Sequence, residues 1–255
     1  MDTKNPIVLY EWILQEFTLD RRAGFVNSLA PYLAALLHPG DRGLDLCCGT
    51  GPFSFFFEEL AARVTAIDVS PGMIRLAREE AAKKRSAVTF IQADVLTYGW
   101  DTEQFDVVVL LGNTVSDFPL DGLVRLGDKV SAALRPGGSF AVHYLDGLYP
   151  FVEGEYARQE VQQEEPQQIT RRFKEYRPES AAYVEEYTNT VTGDVCEYTS
   201  YLYGPPYLRL ALGGVFELTR AIALGTKGHL DIFSKKQQHL ETRRHSTDPS
   251  RLRLT

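Results

Sequence analysis

The chain has 255 residues, of which 44% are hydrophobic and 24% are charged, as is ordinary for a soluble globular protein. This length suits one large α/β domain with room for a small insertion. A net charge of −7 argues against general binding to DNA or RNA backbones, which requires a broad basic face. We therefore expect a small-molecule partner and consider a nucleic-acid partner unlikely.

The cysteines and the amino terminus bear on the cellular compartment. Cys47 and Cys48 are adjacent and Cys196 is distant, a pattern that fits neither a disulfide framework nor a zinc site. The first residues lack the basic-then-apolar pattern of a signal peptide, and no apolar run approaches the ~20 residues that span a bilayer. We expect a cytoplasmic protein with reduced thiols, no membrane partner and no metal.

Helical spacing of apolar residues predicts helices over 7–38, interrupted near 19–24 and ended by His38-Pro39-Gly40. Strands and helices then alternate, which predicts a parallel sheet with right-handed crossovers. The fourth strand is apolar on consecutive residues, as in a central strand covered on both faces. The predicted strands lie near 43–46, 63–68, 87–93, 105–111 and 139–146, and the helices near 52–62, 71–84 and 120–135.

The pattern changes after Asp146. A polar stretch over 151–168 precedes three β-like runs, near 169–177, 181–191 and 194–203, with a hairpin turn at Thr192-Gly193. A short helix at 206–212 follows, and then a closing hairpin near 215–222 and 229–234. The predicted fold class is α/β: a Rossmann-like, doubly wound, mostly parallel seven-stranded sheet with an antiparallel β insertion after strand five.

The most informative segment is the turn after the first strand. Gly49 and Gly51 have no Cβ, so the backbone can approach a bound ligand closely. The second strand ends at Asp68, where a carboxylate accepts hydrogen bonds from both hydroxyls of a ribose. These features predict a nucleoside ligand. The alternative for Asp68 is that it caps the helix that begins near Ser70-Pro71.

Other polar residues follow the later strands: Asp94 follows the third, Gly112-Asn113-Thr114 the fourth and His143-Tyr144-Leu145-Asp146 the fifth. In an open parallel sheet the ligand binds beyond the carboxyl ends of the strands. The motifs as a set resemble the class I S-adenosylmethionine-dependent methyltransferases over roughly residues 40–146. They are LDLCCGTG (44–51), AIDVSPGMI (66–74), IQADVL (91–96), FDVVVLLGN (105–113) and LRPGGSF (134–140).

This resemblance implies S-adenosyl-L-methionine as cofactor and S-adenosyl-L-homocysteine as product. The family usually has glycine where Cys47 stands. Helices at the amino terminus often act as lids in this family, which makes Tyr10 and Trp12 candidates to close over the cofactor. The implied cofactor contacts are Asp45, Cys47, Gly49 and Gly51 along the methionine portion, Asp68 at the ribose, Met73, Asp94 and Val95 at the adenine, and Leu111 and Gly112 near the sulfonium.

The sequence indicates the methyl acceptor less specifically than it indicates the cofactor. The motifs of adenine, cytosine C5, metal-dependent O- and protein arginine methyltransferases are missing. Leu111-Gly112-Asn113-Thr114 resembles the glycine and sarcosine N-methyltransferase-like group, which implies in-line transfer to nitrogen, or oxygen, of a small molecule. The candidate catalytic residues are Asn113, His143 and Tyr144. A turn cap is the alternative for Asn113, and an interior packing role is the alternative for His143.

We divide the chain into an N-terminal helical lid (1–38), a cofactor-binding methyltransferase domain (39–150 and 205–236), a cap insertion (151–204) and a polar tail (237–255). An RNA methyltransferase that uses the basic tail and a non-catalytic regulatory protein stay as alternatives. A dinucleotide dehydrogenase is disfavoured, because Ser54 stands where its third glycine would be. A homo-oligomer is compatible with the sequence, which does not specify the oligomeric state.

Overall fold

The computed structural model describes residues 6–60, 62–149, 162–164 and 169–236. Its larger sheet has seven strands. They are β1 (Arg42–Leu46), β2 (Arg63–Asp68), β3 (Thr89–Gln92), β4 (Phe105–Leu110), β5 (Leu134–Leu145), β10 (Phe216–Leu224) and β11 (Gly228–Lys235). Their order across the sheet is β10-β11-β5-β4-β1-β2-β3.

The pairing of these strands confirms the predicted fold class. β1, β2, β3, β4 and β5 run parallel, whereas β11 is antiparallel to both β5 and β10. The chain moves outward from β1 through β2 to β3 and then returns to the other side of β1 as β4. This reversal is a topological switch point, and a ligand is expected beyond the carboxyl ends of the strands there.

Helices cover both faces of the sheet. They are α1 (Pro6–Trp12), α2 (Leu19–Leu33), α3 (Pro52–Glu59), α4 (Pro71–Lys84), α5 (Leu120–Ala133) and α6 (Pro205–Leu212). In β4, Val108 faces the core built with α5 and α6, whereas Val109 faces the core built with α2, α3 and α4. Both side chains are fully buried. The prediction that this strand is central and covered on both faces is therefore confirmed.

Two predicted boundaries were wrong. Helix α2 runs without interruption, and the break precedes it, where Leu14–Phe17 forms a 3-10 turn. Gly24 is exposed in α2, and its cost of about 1 kcal/mol is offset by burial of Leu29 and Leu33. Strand β5 begins at Leu134, earlier than predicted, because Leu134 already pairs with Phe105 of β4. Residues 135–138, which include the PGG segment, form a bulge before Ser139 pairs with Val107.

The insertion after β5 forms a second sheet, which is antiparallel throughout. Its strands are β6 (Gln162–Glu164), β7 (Ile169–Arg177), β8 (Ala182–Asn189) and β9 (Val195–Tyr201). Helix α1 packs on this sheet, where Leu9 shares a buried cluster with Ile169, Tyr187 and Cys196. The predicted tail 237–255 and most of the polar stretch 151–168 lie outside the described residues. No helix in the described part is long and apolar enough to cross a membrane.

Candidate active site

A cavity of about 490 Å³ lies at the switch point, beyond the carboxyl ends of β1, β2 and β4. Helix α1 and strand β9 contribute further walls through Tyr10 and Tyr198. The structure brings most of the predicted site residues together here. Those that line the cavity are Tyr10, Asp45, Cys47, Gly49, Asp68, Met73, Asp94, Val95, Leu111, Gly112 and Asn113.

The turn after β1 has an unusual backbone. Cys47, Gly49 and Gly51 all adopt positive φ angles, of 55°, 56° and 84°. A residue with a side chain pays roughly 1–2 kcal/mol for this conformation, which explains why the resembling family has glycine where Cys47 stands. A Cβ on Gly51 would lie 2.6 Å from the Phe90 ring. Gly51 therefore allows close packing against Phe90, and it does not line the cavity.

Asp68 is held rigidly at the cavity wall. Its Oδ2 accepts a hydrogen bond from the Gly49 backbone N–H at 2.8 Å, and its Oδ1 accepts one from Ser70 N–H at 2.9 Å. Burial raises the pKa of this carboxyl, although these hydrogen bonds lower it. The cap of α4 is Ser70, whose Oγ accepts from Met73 N–H. Asp68 thus braces the turn and the helix start and keeps acceptor capacity for a ligand.

Asp45 lies deeper in the same wall and is 2% exposed. The Ser54 hydroxyl donates to its Oδ2 at 2.6 Å. Burial raises the pKa of Asp45 to about 7, and the charge of Asp68 adds to this rise, whereas the Ser54 hydrogen bond opposes it. The sequence analysis used Ser54 only to exclude a dinucleotide site, but the structure gives it a contact with a predicted cofactor residue.

The predicted adenine contacts sit at the ends of β2 and β3. Met73 and Val95 are buried apolar walls of the cavity. Asp94 is exposed, and its Oδ1 accepts from Leu96 N–H at 2.8 Å. Asp94 therefore caps its own loop, and its side chain borders the cavity.

Asn113 follows β4 with a φ of 68°. Its Oδ1 accepts from Leu145 N–H at 2.9 Å, and its Nδ2 donates to Ser116 Oγ at 3.3 Å. The side-chain amide thus ties the end of β4 to the end of β5. Asn113 precedes the 3-10 turn but makes no side-chain cap to its backbone, and it lies at the cavity wall. Its role toward the acceptor stays a prediction.

His143 does not line the first cavity. It borders a second one of about 700 Å³, which shares Arg22, Phe25, Gly112 and Asn113 with the first. Burial, together with the nearby His229, lowers the pKa of His143 to about 4, so its ring is neutral at pH 7.

Tyr144 faces the other side of the sheet and is fully buried. Its hydroxyl donates to Asp231 Oδ2 at 3.0 Å, and Arg209 pairs with the same carboxylate at 2.8 and 3.0 Å. The structure does not bring Tyr144 to either cavity, so we assign it to packing and not to catalysis.

Sequence reasoning missed Asp117. It ends the 3-10 turn Thr114–Asp117 and lines the first cavity. Tyr10 Oη donates to its Oδ2 at 2.6 Å, and Tyr198 Oη donates to its Oδ1. Burial raises the pKa of Asp117 to about 6, against the effect of both phenol hydrogen bonds. Because these residues are far apart in the chain, no local sequence motif indicated that Asp117 would contact Tyr10 and Tyr198.

Helix α1 also contacts the start of α4, through Glu11. Glu11 Oε1 accepts from Ser70 Oγ at 2.6 Å and from Gly72 N–H at 2.9 Å. Trp12, the other predicted lid residue, packs against the cluster between α1 and the small sheet. Within the described residues, no group of three or more His, Cys, Asp or Glu side chains is placed to hold a metal ion.

Part of the chain resembles known proteins in sequence. Residues 44–138 match the family described as "Methyltransferase domain". The matched segment runs from β1 into β5 and includes the turn after β1. Over 106 residues it is 35% identical to a demethylmenaquinone methyltransferase from Clavibacter sepedonicus, a match that covers 40% of each chain. The chain thus spans less than half the length of this curated relative.

Solved structures share the fold over most of the chain. The PH0226 protein from Pyrococcus horikoshii OT3 matches with a TM-score of 0.73 and 22% identity, over 90% of this chain and 99% of that one. The glycopeptide N-methyltransferase MtfA, crystallised with S-adenosylmethionine, matches with a TM-score of 0.57 and 21% identity, over 82% and 93%. At 22% and 21% identity, both likenesses concern the fold.

Proposed function

We propose that this protein transfers the methyl group of S-adenosyl-L-methionine to nitrogen or oxygen of a small-molecule acceptor and leaves S-adenosyl-L-homocysteine. The observation that carries the proposal is the Asp68 carboxylate, which two backbone N–H groups hold at the wall of the switch-point cavity. A carboxylate fixed in this way can accept both hydroxyls of a ribose at no further cost in side-chain entropy.

The remaining walls fit the other parts of this cofactor. Asp45 offers a buried carboxylate to the α-ammonium group, while Met73 and Val95 offer apolar surfaces to the adenine. A cavity of about 490 Å³ is in the range of small-molecule sites. The cofactor supplies a methyl group on a sulfonium, which is already a good leaving group.

The protein's contribution is to align the acceptor and exclude water. Alignment of two reactants can supply roughly 7–11 kcal/mol of a barrier. The wall near Leu111 and Gly112 is where we place the sulfonium, and Asn113 holds the ends of β4 and β5 together beside it. We propose that α1 acts as a lid, since Tyr10 bonds to Asp117 in the cavity wall and Glu11 bonds to the start of α4.

A small acceptor is favoured by the enclosure of the cavity between α1, the main sheet and the second sheet. The chain's negative charge also disfavours a nucleic-acid acceptor. The curated relative from Clavibacter sepedonicus is named a demethylmenaquinone methyltransferase, which supports an acceptor that is not a nucleic acid or a protein.

Calorimetry tests the proposal directly. We expect heat on titration with either S-adenosylmethionine or S-adenosylhomocysteine, and label transfer from the radiolabelled cofactor to a metabolite pool. Asp68→Asn should weaken both ligands roughly 10–100-fold, the range for hydrogen bonds to a charged group. Asp128→Asn, the same change at an exposed position of α5, is the matched control and should bind normally. Absence of heat with folded wild-type protein would reject the proposal.

A further inference from the structure

Asp117 places a negative charge in the wall of the cavity, on the side formed by the turn after β4. Tyr10 and Tyr198 each donate a hydroxyl to one of its oxygens. Both partners are neutral phenols, so they hold the carboxylate in place without cancelling its charge. Among the residues that the structure describes, neither lysine nor arginine forms an ion pair with Asp117.

The rest of the cavity has the same sign of charge. Asp45, Asp68 and Asp94 line it as well, and Arg22 is its one basic side chain among the lining residues. A cavity with this wall attracts a cationic ligand and repels a carboxylate, phosphate or phenolate. The charge of the wall therefore favours an acceptor that is a cation either as the substrate or as the methylated product.

The two hydroxyls that bond to the Asp117 carboxylate belong to aromatic rings that contact each other. The Tyr10 and Tyr198 rings stand edge to face, with centroids 6.2 Å apart and planes at 86°. Phe17 lies 6.1 Å from Tyr10 in a similar arrangement, and the Arg22 guanidinium already lies over the Phe17 ring, 4.2 Å from its centroid. The two tyrosine rings are therefore the ones nearest the carboxylate. Ring faces carry partial negative charge and attract cations. A carboxylate beside such rings is the chemistry that recognises an alkylammonium group.

We propose that Asp117, held by Tyr10 and Tyr198, binds the nitrogen of a primary or secondary amine and makes this protein an N-methyltransferase. The inference rests on the proposed function and selects nitrogen over oxygen. An oxygen acceptor that must ionise before attack would bring a second negative charge next to Asp117, whereas an amine gains positive charge as it reacts.

The proton and charge balance follows from this placement. Asp117 accepts a proton from the bound ammonium, which frees the nitrogen lone pair. The nitrogen then bonds to the methyl carbon while the carbon–sulfur bond breaks, and its electron pair stays on sulfur. The positive charge that sulfur loses appears on nitrogen. Because burial raises the pKa of Asp117, this carboxylate is a stronger base than an exposed one.

Binding of matched probes tests the inference. The protein is saturated with S-adenosylhomocysteine and titrated with benzylammonium, benzyl alcohol and benzoate, which share one ring and differ in the head group. We expect benzylammonium to bind at least about tenfold more tightly than the other two. Asp117→Asn should abolish this preference and leave the affinity for S-adenosylhomocysteine within about twofold. Asp128→Asn should keep the preference.

Transfer from labelled S-adenosylmethionine to benzylamine supplies the second readout. Asp117→Asn should lower kcat/KM for benzylamine by roughly 100-fold, the lower end for loss of a positioned proton acceptor. Equal or tighter binding of benzyl alcohol or benzoate, no detectable binding of benzylammonium, or a preference that survives Asp117→Asn would overturn the inference. If S-adenosylhomocysteine binds normally in these cases, the proposed function stands; if it does not bind, the proposed function itself fails.

Discussion

The first prediction concerns the buried ion pair between Arg209 of α6 and Asp231 of β11, to which the Tyr144 hydroxyl also bonds. Asp231 is fully buried and is bonded by Arg209 Nε and Nη2 and by the Tyr144 hydroxyl. Arg209→Met removes the cation and both guanidinium donors but keeps an unbranched apolar stem. The carboxylate then remains in the sheet with one hydroxyl donor and no counterion.

The stability lost in Arg209→Met follows from the burial of Asp231. Breaking a buried ion pair by removing one partner costs about 3–5 kcal/mol. The Arg209 side chain is 37% exposed, so water reaches the site, and we take the lower end, about 3 kcal/mol. At roughly 2–4 °C per kcal/mol for a chain of this size, Tm should fall by roughly 6–12 °C. Adding Asp231→Asn removes the stranded charge and should recover most of the loss.

Thermal melts and urea titrations of the single and double variants measure the loss of stability and its recovery. A loss below about 1 kcal/mol for Arg209→Met, or a double variant no more stable than the single one, would refute the reasoning. Tyr144→Phe removes one hydrogen bond and should cost about 1 kcal/mol. Its kcat/KM should stay within about twofold of wild type; a tenfold fall would restore Tyr144 as a catalytic candidate.

Three further predictions concern the wall formed by β1 and its turn. Gly51→Ala should destabilise the fold by roughly 2–4 kcal/mol in urea titrations, because it adds a strained φ and a contact with Phe90. Cys47→Gly should be nearly neutral in Tm while Cys47→Val should lower it, since a β-branched residue tolerates positive φ least. The pKa of Asp45 rises on folding from 3.8 to about 7, so unfolding releases its proton between these values and stability falls as pH rises through this window. Urea midpoints at several pH values should show a slope that Asp45→Asn reduces by up to roughly 1.4 kcal/mol per pH unit.

The main sheet was predictable because its signals are local. Consecutive apolar residues identified β4, and the turn with Gly49 together with Asp68 identified the cavity wall. The interruption predicted near 19–24 was wrong because the helix-destabilising effect of Gly24 is outweighed by the burial of Leu29 and Leu33 in the folded protein. The free-energy contribution of helix propensity is small compared with that of side-chain burial, and only the structure shows which side chains are buried.

The acceptor side was less predictable because its residues meet only in the folded chain. Asp117 contacts Tyr10 and Tyr198, at sequence separations of 107 and 81 residues. No spacing rule connects such positions. Alternation along β5 predicts that His143 and Tyr144 face opposite sides, but the sequence does not say which side faces the cavity. In the structure Tyr144 faces away from it, towards Asp231.

The position of α1 has a consequence for the kinetics of ligand exchange. Two successive residues of this helix, Tyr10 and Glu11, are bonded to the turn after β4 and to the start of α4. A stiff helix cannot release one of these contacts without straining the other, so we expect exchange through this side to require one concerted displacement of α1. The residence times of cofactor and product would then share a single gating rate, and Glu11→Gln and Tyr10→Phe would shorten both.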